Sequence, residues 1–223
     1  MRLAMELELP GEVAAAEALQ ERLRGLVELQ GVGAAEVRTV AGVDSAYDDL
    51  GNVVAAVVVL EVATLRVVDS ASARGRVEFP YVPGLLAFRE LPTTIAALEK
   101  LGTTPDLLVC DGQGIAHPRR FGLACHLGLL TGLPSIGVAK TVWGDYDEPG
   151  RARGEFGDIT LDGEVVGRAV RTQPGVKPVF VSVGHRIDLD TACAEVLALT
   201  PKYRQPETTR QADHLCRMLL REG

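Results

Sequence analysis

Residues 37–73 read VRTVAGVDSAYDDLGNVVAAVVVLEVATLRVVDSASA and contain three β-branched, apolar runs separated only by turn-forming residues. Runs of this kind are typical of β-strands, and we predict strands at about 37–46, 53–62 and 65–73. No helical pattern lies between them. The sheet therefore begins with three consecutive strands.

The rest of the chain alternates between helical and strand patterns. Apolar residues at helical spacing predict helices at about 11–30, 91–101, 123–131, 188–199 and 206–222. Short apolar runs predict strands at 106–110, 135–139 and 178–184, and a hairpin at 154–172 that turns at Asp162-Gly163. This order indicates an α/β fold in which helices flank a mixed sheet. Without a linker or an internal repeat, we expect a single domain, 1–223.

Composition excludes several classes of protein. The 47% hydrophobic and 24% charged residues are typical of a globular chain and exclude a disordered or fibrous one. The longest uncharged β-branched run, 53–60, is far shorter than the ~20 residues of a membrane helix. The acidic N-terminus does not resemble a secretory signal. We therefore expect a cytoplasmic protein with no membrane partner.

Charge and cysteine spacing narrow the choice further. The cysteines at 110, 125, 193 and 216 form no CxxC pair, which predicts buried free thiols rather than a zinc site or a disulfide framework. The net charge of −7 excludes a uniformly basic protein. It is compatible with nucleic acid bound in a local basic groove, especially beside a metal site made of carboxylates.

Motifs for nucleotide cofactors and for serine hydrolases are incomplete. Gly112 and Gly114 follow a predicted strand, but His117 stands where the third glycine of GxGxxG would lie. Neither Ser135 nor Ser182 lies in a GxSxG frame. A dinucleotide enzyme and an α/β-hydrolase are both disfavoured.

Four acids at strand ends and helix starts are the remaining candidates for chemistry. Asp44 lies inside an apolar strand, where a lone acid is costly unless it is paired or bound to a cation. Asp111 closes another apolar strand, Glu90 follows the PYVPG turn, and Asp213 lies on the last helix. Structural interpretations also exist, because Asp111 could be a turn residue and Glu90 a charge that complements a helix dipole.

Five segments carry a resemblance to a known family: AGVDSAY at 41–47, FPYVPGLLAFRE at 79–90, DGQGIAHPRRFGLACHLG at 111–128, IGVAKT at 136–141 and PETTRQAD at 206–213. In this order and register they resemble endonuclease V, the deoxyinosine 3′ endonuclease, from about residue 40 to 213. The resemblance implies an RNase H-like fold, with a mixed five-stranded sheet whose first three strands are consecutive. That agrees with the element order predicted above.

The resemblance also implies a metal site. Asp44, Glu90 and Asp111 match the family's metal-binding acids, and they would hold Mg²⁺, for which Mn²⁺ can substitute. Divalent cations held by carboxylates activate water and offset negative charge during phosphodiester hydrolysis, and hard cations prefer oxygen ligands. Lys140 matches a phosphate contact and His117 a residue near the phosphate. Their alternatives are a solvated strand end and a loop histidine that caps the next helix.

The fourth acidic position differs among family members, some of which have histidine there. Asp213 and His214 are both candidates in this chain. At about 100° per residue, Asp213 lies at the edge of the apolar face of the last helix, whereas His214 lies among arginines on the solvent side. We therefore assign the metal-side role to Asp213.

Base recognition is implied by the PYVPG segment. Tyr81 stands between Pro80 and Pro83, in a rigid turn that holds the aromatic ring in place. The resemblance implies that this ring acts as a wedge at the lesion; the alternative is a structural proline turn with Tyr81 half buried. Glycines let a backbone approach a flat ligand closely, and the family's hypoxanthine pocket is built largely from backbone groups. The expected substrate-binding residues are Tyr81, Pro83, Gly84, Leu86, Gly112, His117, Gly122 and Leu123.

These expectations describe a monomeric, Mg²⁺-dependent DNA repair endonuclease, a deoxyribonuclease V. It would recognise deoxyinosine and hydrolyse the second phosphodiester bond on its 3′ side, leaving 3′-hydroxyl and 5′-phosphate ends. Inosine-containing RNA is a second candidate substrate. The alternatives are a general RNase H-like nuclease or junction resolvase without the wedge, and a non-catalytic module that binds inosine or single strands.

Overall fold

The structure is a computed structural model that describes residues 2–33 and 36–222. The helices are α1 Val13–Leu23, α2 Ala87–Leu98, α3 Leu123–Thr131, α4 Leu189–Ala198 and α5 Glu207–Arg221, and a 3-10 turn Arg24–Leu26 follows α1. The strands are β1 Thr39–Tyr47, β2 Asn52–Glu61, β3 Val67–Arg76, β4 Leu107–Cys110, β5 Ser135–Ala139, β6 Asp145–Tyr146, β7 Phe156–Leu161, β8 Glu164–Val170 and β9 Val179–His185.

The strands form one mixed sheet with the order β3-β2-β1-β4-β5-β9-β8-β7-β6. The antiparallel β1–β2–β3 meander leads into the parallel neighbours β1, β4 and β5, and β9 then pairs antiparallel with β5. The first five strands in this order are the predicted five-stranded, RNase H-like sheet. The other four extend it to nine among the described residues, because the predicted hairpin at 154–172 pairs with β9 instead of standing apart.

Helices cover both faces of the sheet, as predicted. On one face α2 and α3 pack on β1, β2 and β4, with α1 outside them. On the other face α4 covers β9 and β8, and α5 covers β1 and β2. Gly42 permits the close approach of α5, since a Cβ atom at this position would lie 2.2 Å from a backbone atom of Thr208.

Most element boundaries follow the predicted ones, and two differences are informative. Helix α1 ends at Leu23 rather than near residue 30, because the chain tightens into the 3-10 turn and Val27 is already extended. Helix α2 begins at Ala87, four residues before the predicted start, so Glu90 lies in its first turn. All four cysteines are free and buried, as predicted. Over the described ranges, no helix is both long and apolar enough to cross a membrane.

Candidate nuclease site

The strand register brings Asp44 and Asp111 to the same edge of the sheet. Val43 of β1 pairs with Cys110 of β4 in the parallel ladder, and each acid is the next residue along its chain. Successive side chains on a strand point to opposite faces. Asp44 therefore shares the face of Gly42 and Ala46, which is covered by α5.

Glu90 approaches this edge from the first turn of α2. It is 7% exposed, and the hydroxyl of Tyr47, the last residue of β1, donates a 2.8 Å hydrogen bond to its Oε1. Burial raises the pKa of Glu90 to about 8; the Tyr47 hydrogen bond opposes this rise, and the Asp44 carboxylate adds to it. The first helical turn and the end of β1 thus hold a buried carboxyl beside the two aspartates.

Lys140 lies beside the two aspartates. Lys140 directly follows β5, and its Nζ lies 2.5 Å from Asp111 Oδ2. Burial raises the pKa of Asp44 to about 7, with a further rise from the Asp111 carboxylate and a smaller opposing effect from Lys140. Burial lowers the pKa of Lys140, but the hydrogen bond to Asp111 and the negative charges of the aspartates together outweigh burial and raise the pKa overall. The site therefore concentrates negative charge, which Lys140 offsets in part.

Helix α5 presents Asp213 toward this charge. Ala212 and Cys216 are fully buried, His214 is exposed, and Asp213 lies between these extremes with its side chain 40% exposed. The Asp213 carboxylate adds a small further rise to the pKa of Asp44. Its Oδ1 accepts a 2.6 Å hydrogen bond from Arg217 Nε. The placement agrees with the helical-angle argument for Asp213 over His214.

The carboxylate oxygens of the four acids are ligands that suit a hard divalent cation. The acids are, however, not arranged as a closed metal site. Across residues 2–33 and 36–222, no three His, Cys, Asp or Glu side chains are grouped tightly enough to hold a metal ion. Each carboxylate instead accepts from a local donor: Asp44 from the Ser45 backbone N–H, Asp111 from Lys140, and Glu90 from Tyr47. Crowded carboxylates repel one another unless a cation lies between them, and this repulsion favours cation binding. Metal binding by the four acids stays a prediction.

A cavity of about 360 Å³ opens beside the acids. Its wall includes all eight residues predicted to bind the substrate, namely Tyr81, Pro83, Gly84, Leu86, Gly112, His117, Gly122 and Leu123. Chain continuity ties it to the acids, because Gly112 follows Asp111 and Leu86 precedes the helix that carries Glu90. Gln20, Val82, Ala87, Gln113, Thr141, Val142 and Trp143 complete the lining.

Tyr81 projects at the mouth of this cavity. It is 72% exposed, and the Arg89 guanidinium lies 5.8 Å from its ring centroid and 5.5 Å from that of Tyr47. Arg89 also donates a 2.8 Å hydrogen bond to the carbonyl of Phe79, just before the PYVPG segment. An exposed ring on a braced turn is the arrangement that the sequence predicted.

His117 is buried, and hydrogen bonds engage both of its ring nitrogens. Nδ1 accepts from the backbone N–H of Arg119 at 3.2 Å, so Nε2 carries the proton and donates to the Gly84 carbonyl at 2.8 Å. Burial lowers the pKa of His117 to about 4. In this conformation His117 braces the PYVPG loop, and its contact with phosphate stays a prediction.

Sequence reasoning missed several residues of the site. Tyr47, Arg89 and Gln20 all contact predicted site residues or line the cavity. In the sequence, Arg119 and Arg120 supply local positive charge or are simple surface charge; in the structure both side chains are only 19% exposed and bind other parts of the chain. The sequence contained a signal for Gln20. It is a polar residue on the apolar face of α1, four positions after Ala16 and three before Leu23.

Comparisons with known proteins agree with this geometry. The family model for endonuclease V matches residues 21–214. The endonuclease V of Nocardia farcinica is 66% identical over 96% of this chain and 95% of its own length. A crystal structure of endonuclease V from Streptomyces avermitilis is 58% identical, covers 100% of this chain and 99% of its own, and superimposes with a TM-score of 0.92.

A more distant structure contains nucleic acid. The endonuclease V of Ciona intestinalis, as a D234N variant, was solved in complex with a 23mer DNA containing an inosine followed by a ribo-adenosine. It is 30% identical, covers 94% of this chain and 97% of its own, and has a TM-score of 0.85. Over nearly its whole length, and in its fold, this chain belongs to the endonuclease V family of nuclease enzymes.

Proposed function

We propose that this protein is a Mg²⁺-dependent endonuclease that recognises deoxyinosine in DNA. It hydrolyses the second phosphodiester bond 3′ to the lesion and leaves 3′-hydroxyl and 5′-phosphate ends. The observation that carries the proposal is the junction of cavity and acids at Asp111–Gly112. A base held in the cavity would place its own strand along the acids.

Asp44, Glu90, Asp111 and Asp213 would hold the metal at the edge where β1 and β4 end. Oxygen ligands favour Mg²⁺, with Mn²⁺ as a substitute. Burial raises the pKa of the nearby Cys110 and Cys216 thiols, which keeps them from acting as thiolate ligands. When bound, the cation would activate water and offset the negative charge that develops on the phosphate. The Lys140 ammonium, 49% exposed and paired with Asp111, is free to swing toward a phosphate oxygen.

The cavity suits hypoxanthine better than adenine for a reason of polarity. Helices α2 and α3 both begin at its wall, at Ala87 and Leu123, and the first N–H groups of a helix have no acceptor within that helix. The carbonyls of Leu85, Leu86 and Gln113 already accept from the N–H groups of Phe88, Arg89 and Ala124. The first N–H of each helix, at Ala87 and Leu123, and the positive ends of the helix dipoles would therefore favour the C6 keto oxygen of hypoxanthine. Adenine would present an amino donor to the same groups, at a cost of about 1–3 kcal/mol per unpaired group.

The wedge gives access to the base. Tyr81 would fill the space left in the stack when the lesion is turned into the cavity, and a mispaired inosine costs less to extrude than a normal pair. The inosine-containing DNA bound by the Ciona intestinalis relative supports the same substrate class here. All of these residues belong to one chain, so we expect residues 1–223 to act as a single catalytic domain and as a monomer.

Cleavage of matched oligonucleotides tests the proposal. Duplexes and single strands with one deoxyinosine, or with deoxyadenosine at the same position, are incubated with and without Mg²⁺, and product ends are mapped. We expect one Mg²⁺-dependent cut at the second 3′ phosphodiester of the inosine strand. Equal cutting of the deoxyinosine and deoxyadenosine substrates would indicate a general RNase H-like nuclease. Binding without cutting would indicate a non-catalytic module. Strands with a ribo-inosine compare RNA with DNA.

A further inference from the structure

The backbone carbonyl of Gly84 is the meeting point of three side-chain donors. Gln20 Nε2 lies 3.0 Å from it, His117 Nε2 2.8 Å, and one terminal nitrogen of Arg119 3.2 Å. Gly84 has a φ of +83°, which favours glycine, and a Cβ atom here would lie 2.8 Å from the Arg119 guanidinium. The PYVPG loop is therefore fixed at its last residue from the side opposite to solvent.

Gln20 is the donor that comes from farthest along the chain. It lies on α1, is 1% exposed, and its Nε2 also donates to the carbonyl of Phe121 at 3.1 Å. Its Oε1 accepts a 2.6 Å hydrogen bond from Arg119 Nε. The two amide hydrogens and the amide oxygen are all engaged, which fixes the orientation of the group.

This one amide spans two parts of the cavity wall. Gly84 and Gly122 both line the cavity, and Gln20 Nε2 binds the carbonyl of Gly84 and that of Phe121, the residue before Gly122. The separation of these two wall segments is thus limited by the reach of a single nitrogen atom. A shift of either segment breaks a buried hydrogen bond.

Helix α1 holds Gln20 in place. Ala16, Leu19 and Leu23 pack in an apolar cluster with aromatic residues from the loops on either side of the cavity. Glu17, on the next turn of the same helix face, accepts a 3.0 Å bond from the Arg119 guanidinium. The helix is therefore a rigid brace for the cavity wall.

We propose that Gln20 is a positioning residue that sets the width of the base cavity and thereby the preference for hypoxanthine over adenine. The inference rests on the proposed function, in which the cavity receives the base. A cavity held at fixed width keeps backbone donors aligned with the keto oxygen, whereas a relaxed one admits either base with poorer hydrogen bonds. Gln20 does not touch the acids, so its effect falls on binding rather than on the cleavage step.

The test uses Gln20→Met, which keeps the volume but removes every hydrogen bond, and Gln20→Glu, which replaces the donor by an acceptor. Glu21→Gln is the matched control, because it changes an exposed side chain of the same helix, paired with Arg24, and leaves the Gln20 hydrogen bonds and the buried cluster in place. Affinities for single strands with one deoxyinosine or one deoxyadenosine are measured in Ca²⁺. Hydrogen exchange of the Leu85 backbone amide, which donates to the Val82 carbonyl at 2.9 Å, reports on the PYVPG loop in the absence of ligand.

Both Gln20 variants should lower the inosine-over-adenosine affinity ratio on the order of tenfold and speed exchange at Leu85. Glu21→Gln should change the ratio by less than about twofold. An unchanged ratio in both Gln20 variants, or an equal loss in Glu21→Gln, would overturn the inference. A wild-type protein without inosine preference would contradict the proposed function instead. Even in that case, a Leu85 amide that exchanges no faster in Gln20→Met than in wild type would refute the role of Gln20 in fixing the PYVPG loop.

Discussion

Lys140 Nζ lies 2.5 Å from Asp111 Oδ2, at the ends of the neighbouring parallel strands β4 and β5. This pair places an ammonium beside the carboxylate that directly precedes Gly112 of the cavity wall. A substrate phosphate would compete with Asp111 for that ammonium, and a metal ion would compete with Lys140 for that carboxylate. The pair is thus a contact that substrate and metal are expected to separate together.

Asp44→Asn and Asp111→Asn should each abolish Mg²⁺-dependent cutting, because an amide keeps the shape of the side chain but removes the charge that holds a cation. Binding to inosine DNA should be largely retained, since neither acid lines the cavity. Asp49→Asn, an exposed acid in the turn after β1, is the control. Cleavage within about threefold of wild type would remove that carboxylate from the mechanism.

Tyr47→Phe should raise the Mg²⁺ concentration needed for half-maximal cutting by about tenfold. This is the lower end of the loss in metal affinity that follows mutation of residues that orient metal ligands. The phenol holds Glu90 Oε1 at 2.8 Å, and without it the buried carboxyl loses its donor. A Mg²⁺ titration of initial rates measures the effect. If saturating Mg²⁺ fails to restore the rate, Tyr47 does more than orient Glu90.

Asp213→Ala should reduce turnover at limiting Mg²⁺ much more than His214→Ala. Asp213 is half-buried at the edge of α5 and its charge raises the pKa of Asp44, whereas His214 is exposed on the same helix. Both variants replace exposed or half-exposed helix positions by a good helix former, so folding should be preserved. A larger defect in His214→Ala would exchange the two assignments.

His117 should stay neutral, with its proton on Nε2, at pH values well below those at which an ordinary histidine becomes protonated. Burial lowers its folded pKa to about 4, against about 6.5 in an unfolded chain. The unfolded state therefore binds the proton more tightly, and the stability that depends on neutral His117 is full above about pH 6.5 and is lost as pH falls toward 4.

His117→Gln removes this titration. Between about pH 7 and pH 5, the free energy of unfolding should fall further in wild type than in the variant. Buried His126, whose pKa burial also lowers to about 4, is present in both proteins and cancels in the difference. Urea unfolding at the two pH values provides the measurement, and equal losses would show that His117 is not the titrating group.

Local patterns were sufficient to predict most of the elements. Helix α3 and strand β5 have the predicted bounds, 123–131 and 135–139, because uniform apolar runs end there at glycine or polar residues. The extension of the sheet beyond five strands was not predicted. Strand β6 has only two residues, and the pairing of β8 with β9 depends on tertiary contact rather than on the hairpin sequence.

The candidate site shows the same division. Residues in continuous motifs, such as Asp111 and Gly112, could be placed in the sequence because strand-end geometry is local. Tyr47 and Gln20 act on partners 43 and 64 positions away, at Glu90 and Gly84. Periodicity marks Gln20 as polar on an apolar face, but only the packed fold identifies what that amide binds.

Tyr81→Ala should weaken binding to inosine in duplex DNA by an amount on the order of the 1–3 kcal/mol of base–aromatic stacking. The ring is 72% exposed at the mouth of the cavity, so its removal leaves folding and the acids unaffected while the gap left by an extruded base goes unfilled. The loss should shrink on single strands, where no pairing must be broken. Tyr81→Phe keeps the ring and should bind like wild type. Affinities for both substrate forms in Ca²⁺ isolate the effect from cutting, and an equal loss on duplex and single strand would mean that Tyr81 packs against nucleic acid in general and is not a wedge.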